Sequence, residues 1–164
     1  MMHYHATPED HAVLEKKGFL LVDSGATYMD GTTDITRTYP LGPLTEDEKR
    51  FYTWTLQSHI DLAKAVWLDY CECKMIDTIA REPLWRHLIN YRCGTGHSVS
   101  FVGNVHEGPH ALNSRNTTRM RPGMVVTDEP GVTRPTSWAS ASRTSWCACT
   151  RPITSTVPSF VLNR

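Results

Sequence analysis

Two aspartates, Asp23 and Asp34, stand with ten residues between them in the run Val22-Asp23-Ser24-Gly25-Ala26-Thr27-Tyr28-Met29-Asp30-Gly31-Thr32-Thr33-Asp34-Ile35-Thr36-Arg37-Thr38. The apolar stretch Phe19 to Val22 precedes the first, and Ile35-Thr36-Arg37-Thr38 follows the second. The pattern predicts a hairpin-like pair that bends through Gly25 and carries a carboxylate at the end of each strand. Carboxylates held that close repel one another unless a cation lies between them.

Three further segments have the composition of a site: Gly94-Thr95-Gly96-His97, Asn104-Val105-His106-Glu107-Gly108-Pro109 and Gly123-Met124-Val125-Val126-Thr127-Asp128-Glu129-Pro130-Gly131. Taken singly, each is weak. A histidine among glycines is more often a loop residue than a ligand, and Glu-Pro-Gly is usually just a turn. Together with the aspartates they supply two Asp, one or two His and one Glu near strand ends. Carboxylate-rich sites with one imidazole suit Mn²⁺, Co²⁺ or Zn²⁺, often as a pair.

The elements that must position these residues read as α/β (α+β). Gly18 to Val22 is expected as a buried strand and Ile35 to Tyr39 as a second. Thr45 and Glu48 form a capping box. The helix behind it puts Tyr52, Leu56, Ile60, Ala63 and Trp67 on one face, a stripe expected to be core rather than a cofactor site. A shorter helix is expected from Met75 to Glu82, stopped by Pro83. Val99 to Val105 and Met124 to Thr127 are strand candidates.

At 164 residues the chain fits one domain. Its formal charge is zero, which argues against nucleic acid or a membrane surface as partner. No apolar run reaches the ~18 residues of a membrane helix, so a cytoplasmic setting is expected. Five cysteines, an odd number, are poorly suited to a disulfide framework. The composition breaks near residue 131: no Asp or Glu follows Glu129, and Val132 to Arg164 holds no Lys or Gly either.

The motifs Asp23-Ser24-Gly25-Ala26, Gly31-Thr32-Thr33-Asp34-Ile35-Thr36-Arg37-Thr38, Gly94-Thr95-Gly96-His97, Asn104 to Pro109 and Thr127 to Gly131 resemble, in order, those of the pita-bread metallopeptidases. The branch is that of Xaa-Pro aminopeptidase (aminopeptidase P) and prolidase, and the likeness is greatest to the cytosolic-type Xaa-Pro aminopeptidases. The resemblance covers residues 1 to 131. It implies an incomplete pita-bread fold, a curved mixed sheet with covering helices. It implies metal ligation by Asp23, Asp34, His97 and Glu129, with Asp34 bridging two ions, Mn²⁺ first and Co²⁺ or Zn²⁺ as alternatives. His106 would contact the scissile carbonyl or the tetrahedral intermediate, His3 would lie on the substrate side, and Glu129 would also shuttle a proton. The implied reaction removes the first residue of a peptide with proline in second place, through a hydroxide shared by the two metals. Full-length relatives imply a homodimer. Other readings are a non-catalytic pita-bread domain that binds peptides or proteins, and an Xaa-Pro dipeptidase.

The family pattern also requires a second glutamate, in Gly-Ile-Arg-Ile-Glu-Asn, and Arg143 occupies its place. In the neighbouring reading frame, the codons of Trp138 to Thr144 permit all six residues of that motif. Residues 132–164 are therefore expected to be an unstructured, frameshifted tail after a partial catalytic domain at 1–131. One metal rather than two is the expected complement. The family's domain also begins before His3, so apolar faces are expected to be half exposed. Ser98 and Ser100 stand where relatives usually have glycine, which is expected to crowd the backbone after His97.

Overall fold

The computed structural model describes residues 6–133 and the backbone of two short strands beyond them. His3 and His5 lie outside the described residues. Ten elements follow in order: β1 (Phe19–Tyr28), β2 (Gly31–Pro40), α1 (Glu46–Lys64), β3 (Trp67–Leu68), α2 (Cys73–Trp85), β4 (Gly96–His97), β5 (Ala111–Leu112), β6 (Gly131–Thr133), β7 (Arg143–Ser145) and β8 (Thr156–Val157). The strands pair as β1–β2, β4–β5 and β6–β7, all antiparallel, and β3–β8, parallel. Among the described residues the sheet thus appears as separate two-stranded ladders. β6 crosses the boundary expected after Gly131, and Val132 is buried with Leu84 and Tyr91.

The hairpin forms, but its bend lies elsewhere. β1 runs through Gly25 without interruption, and the chain turns at Met29-Asp30. The aspartates therefore sit inside the strands rather than at their ends. β1 is not a buried strand either: Phe19 to Leu21 are half-buried and Val22 is exposed. In β2, Asp34, Thr36 and Thr38 are buried while Ile35 is exposed, the alternation of a pleated strand. Here the inward face is polar. Val22, Ile35 and Tyr39 lie exposed on the outer face, as expected of a sheet face without cover.

α1 begins with the full capping box, Thr45 Oγ1 accepting from Glu48 N and Glu48 Oε2 accepting from Thr45 N. Its buried residues are Thr55, Ser58 and Leu62, not the expected stripe; Tyr52 and Leu56 are half-buried, and Ile60 and Ala63 are exposed. The inward hydroxyls are satisfied within the helix, Thr55 donating to Phe51 O and Ser58 to Trp54 O. Small polar residues can therefore face α2 without an unpaired group.

α2 starts at Cys73, two residues earlier than expected. Its first free N–H groups are met by backbone carbonyls from the loop ahead: Cys73 N donates to Thr118 O and Lys74 N to Asn116 O. It also runs past Pro83 to Trp85. Pro83 lies in the last turn, where it forfeits a single helical bond, and Pro83 and Leu84 are both buried. The main core gathers Leu62, Trp67, Cys73, Ile76, Ala80, Leu112, Met120 and Val126.

Neither remaining strand candidate forms. Residues 99–105 make a loop that closes on the hairpin, with Thr27 Oγ1 donating to Gly103 O and Thr32 Oγ1 to Phe101 O. Ser100 is accommodated by donating to Asn104 O. Residues 124–127 lie alongside β4, but His97 N donates to the Thr127 hydroxyl where a ladder would use a carbonyl. Cys71, Cys73 and Cys93 are free; Cys147 and Cys149 lie outside the described residues.

Candidate metal centre

Three segments converge on one face of the hairpin: β1–β2 itself, β4 and the stretch before β6. In the β1–β2 register Asp23 faces Thr36 and Gly25 faces Asp34. Residues opposite each other share a face, as do residues two apart, so Asp23 and Asp34 are diagonal neighbours on the same face. Gly25 must be glycine: a Cβ there would lie 2.2 Å from Thr33 O.

β4 brings His97, and the segment beside it brings Glu129. Glu129 N donates to Thr95 O at 2.6 Å and Thr127 N to His97 O at 2.9 Å. Asp34, His97 and Glu129 thereby place one ligand atom each within 4.8 Å of one another. His97 Nε2 lies 3.2 Å from Asp34 Oδ2 and 2.8 Å from Glu129 Oε1. The second approach is close but poorly directed, and Glu129 Oε1 is buried with no hydrogen-bond partner among the described residues.

His97 Nδ1 lies 3.1 Å from Ser98 O. A carbonyl only accepts, so Nδ1 carries a proton and Nε2 faces the carboxylates. Burial pushes the His97 pKa down, but the carboxylates of Asp34 and Glu129 and the Ser98 carbonyl beside the ring outweigh it and raise it to about 10. Without a metal, then, the imidazole itself is the cation between the two carboxylates.

These donors fit a divalent ion. A buried acceptor-only oxygen without a partner is costly, and a cation satisfies it. An imidazole oriented by a backbone carbonyl beside two carboxylates is a donor set for Mn²⁺, Co²⁺ or Zn²⁺.

The site opens into a cavity of about 470 Å³, lined by Asp23, Asp34, His97, His106 and Glu129 among others. Asp23 lines it but stands outside the three-residue group and is exposed. The His106 ring lies over His97, 3.8 Å between centroids at 42°. Sequence reading missed His59, which reaches from α1 to within 2.7 Å of buried Asp128. Burial pushes the Asp128 carboxyl up, and the His59 beside it pulls it back. A lone histidine on a helix carries no local signal for such a contact.

A half-buried imidazole between carboxylates, lining a polar cavity on a β-hairpin, has the donor set of a carboxylate-rich metal site on a mixed α/β scaffold. The chain belongs to metallopeptidase family M24, whose model matches residues 1–150. It is 44% identical over 134 residues to a probable Xaa-Pro aminopeptidase P of Laccaria bicolor, a match covering 80% of this chain and 21% of that protein. To aminopeptidase P2 of Arabidopsis thaliana it is 42% identical over 133 residues, covering 80% and 19%. The chain thus spans about a fifth of the length of these relatives. Among solved structures it is similar to an X-prolyl aminopeptidase of Caenorhabditis elegans, described as a cytosolic enzyme with a di-nuclear active site, at TM-score 0.69 and 36% identity over 79% of this chain and 21% of that one. It is also similar to a prolidase of Pyrococcus furiosus, at TM-score 0.68 and 27% identity over 86% and 42%. The fold is accordingly a partial pita-bread fold.

Proposed function

We propose that this chain carries the metal centre of an Xaa-Pro aminopeptidase and holds one divalent ion, preferably Mn²⁺. The convergence of Asp34, His97 and Glu129 within 4.8 Å carries this reading. Asp34, His97 and Glu129 would hold the ion, and Asp23, on the same strand face as Asp34, would contribute to a second position. That second position also draws on the family's second glutamate, where this chain has Arg143. A bound ion would supply Lewis acidity to the scissile carbonyl and the attacking water.

The protein's own groups do the rest. Glu129, whose buried Oε1 lies 2.8 Å from His97 Nε2, takes the proton and passes it to the leaving proline nitrogen. His106, its ring tilted against that of His97 at the cavity wall, faces the developing oxyanion. His3 joins it from the substrate side on the strength of the family resemblance alone. The substrate is a peptide with proline in second place. The greater identity to the aminopeptidases than to the prolidase favours that branch. A cytosolic setting fits the Caenorhabditis elegans relative, and no described helix is long and apolar enough to cross a membrane. A homodimer and a frameshifted segment at 132–164 belong to the same reading; the gene's codons decide the latter.

The experiment is metal counting on the purified chain beside hydrolysis of an Xaa-Pro-Pro peptide with Mn²⁺. One bound ion with little turnover is expected. Two bound ions with turnover would overturn the one-ion reading, and no bound ion would overturn the metal centre.

A further inference from the structure

Beneath the metal centre lies a buried polar network that the proposed chemistry does not use. Asp77 on α2 accepts from Arg81 Nε at 2.7 Å, and both side chains are buried. Arg81 also donates to Tyr91 O at 2.7 Å, Asn90 Oδ1 at 3.0 Å and Cys93 O at 2.9 Å, and its guanidinium lies 4.1 Å from the Tyr91 ring centre. The second Asp77 oxygen accepts from the Thr95 hydroxyl. A carboxylate paired with arginine is ionised and only accepts, so Thr95 is the donor and the Tyr91 hydroxyl must donate to Thr95. Burial pushes the Tyr91 phenol up, which keeps that proton in place. Thr95 is fully buried, and the Arg81, Asp77, Thr95 and Tyr91 side chains are linked in turn by hydrogen bonds.

The network ends at the metal centre. Thr95 O accepts from Glu129 N, and Thr95 N donates to Leu112 O, so the Thr95 backbone is gripped from both sides. His97 is two residues further on, in β4, which starts directly after Thr95.

We propose that Thr95 is the positioning residue of the metal centre: its hydroxyl, clamped to Asp77, sets the strand pairing that holds Glu129 against His97. The inference rests on the metal-site reading above. Fully satisfied buried networks impose one arrangement, and partners behind the ligands orient them.

The test uses the full chain, with Mn²⁺ as probe, and compares Thr95→Val with Thr95→Ser. Two quantities are read: Mn²⁺ affinity, and hydrogen exchange at the Glu129 amide in metal-free protein. Thr95→Val should weaken Mn²⁺ about tenfold to a hundredfold. It should also speed Glu129 exchange by about tenfold, whereas Thr95→Ser should stay within about threefold of the parent in both. A Thr95→Val protein that melts lower but keeps its Mn²⁺ affinity and Glu129 protection overturns the proposal, because its role is then only structural. Should Thr95→Val not fold, Tyr91→Phe removes the donor to Thr95 and keeps the ring; unchanged Glu129 exchange there overturns the proposal, and faster exchange supports it. If the parent binds no Mn²⁺, the metal reading fails by itself, and the exchange comparison still decides the clamp.

Discussion

Gly96 and Thr127 touch through their backbones. A Cβ at position 96 would lie 1.9 Å from Thr127 O and 2.8 Å from Thr127 C. Only glycine lets β4 and the segment leading to Glu129 come this near, and that approach brings His97 and Glu129 into one group. Gly96→Ala should push the two apart. The expected cost is about 1–3 kcal/mol of stability, as for other overpacked sites, with loss of Mn²⁺ binding. Denaturant melts and calorimetric titration measure the two; an alanine variant that binds Mn²⁺ as the parent does would refute the geometry.

Metal counting separates the two aspartates. They share a strand face, but only Asp34 stands in the group with His97 and Glu129. Asp34→Asn should abolish binding of the single ion, and Glu129→Gln should do the same. Asp23→Asn should leave one equivalent bound. Elemental analysis after desalting checks the numbers; equal loss in the two aspartate variants would mean that Asp23 is an equal ligand of the first ion.

The metal-free protein should be destabilised by alkali. His97 has its pKa raised from 6.5 to about 10 in the folded chain, against an ordinary value once unfolded. The folded state therefore holds the His97 proton more tightly than the unfolded state does. That contribution is complete below pH about 6.5 and is lost as pH rises toward about 10. Chemical denaturation across this interval should show stability falling, and His97→Gln should flatten the slope. A slope unchanged in the variant would place the titrating group elsewhere. Because His97 must give up its Nε2 proton to bind an ion, Mn²⁺ uptake near neutral pH should release protons, seen as a dependence of binding heat on buffer.

The apolar core between the helices should set the stability of the fold rather than the affinity of the centre, which α2 reaches through the polar Asp77–Thr95 link. Leu62 and Ile76 are fully buried in the core between α1, α2 and β5. Leu62→Ala or Ile76→Ala should cost about 2–5 kcal/mol. Thr45→Ala, which removes the cap of α1, should cost about 1 kcal/mol. In protein that remains folded, Mn²⁺ affinity should change little. A core variant that stays folded yet loses the ion would show coupling carried by apolar packing rather than by the Asp77–Thr95 link.

Much of the centre was legible because its chemistry is written locally. The motifs around Asp23, Asp34, His97, His106 and Glu129 are short, and taken together their residue types point to a cation site before any folding is considered. The hairpin was legible from its β-branched strands and the α1 start from Thr45 and Glu48, since turn and cap signals act over a few residues. Where expectation failed, the deciding partner was distant in sequence. The start of α2 depends on carbonyls of Asn116 and Thr118. The inward face of α1 is polar because Thr55 and Ser58 satisfy themselves against their own helix, which a count of apolar residues overlooks.

By itself, then, the sequence determined the family, the metal-type donor set and the absence of an acidic residue after Glu129. Only the tertiary structure decided which donors meet. It grouped Asp34 with His97 and Glu129 and left Asp23 at the exposed edge. It also revealed Thr95, tied to Asp77 and Arg81 across a helix and a loop. The physical reason is that ligand geometry at the ångström scale follows from backbone pairing and buried hydrogen bonds between remote segments. Such contacts leave no periodicity or motif in the chain that makes them.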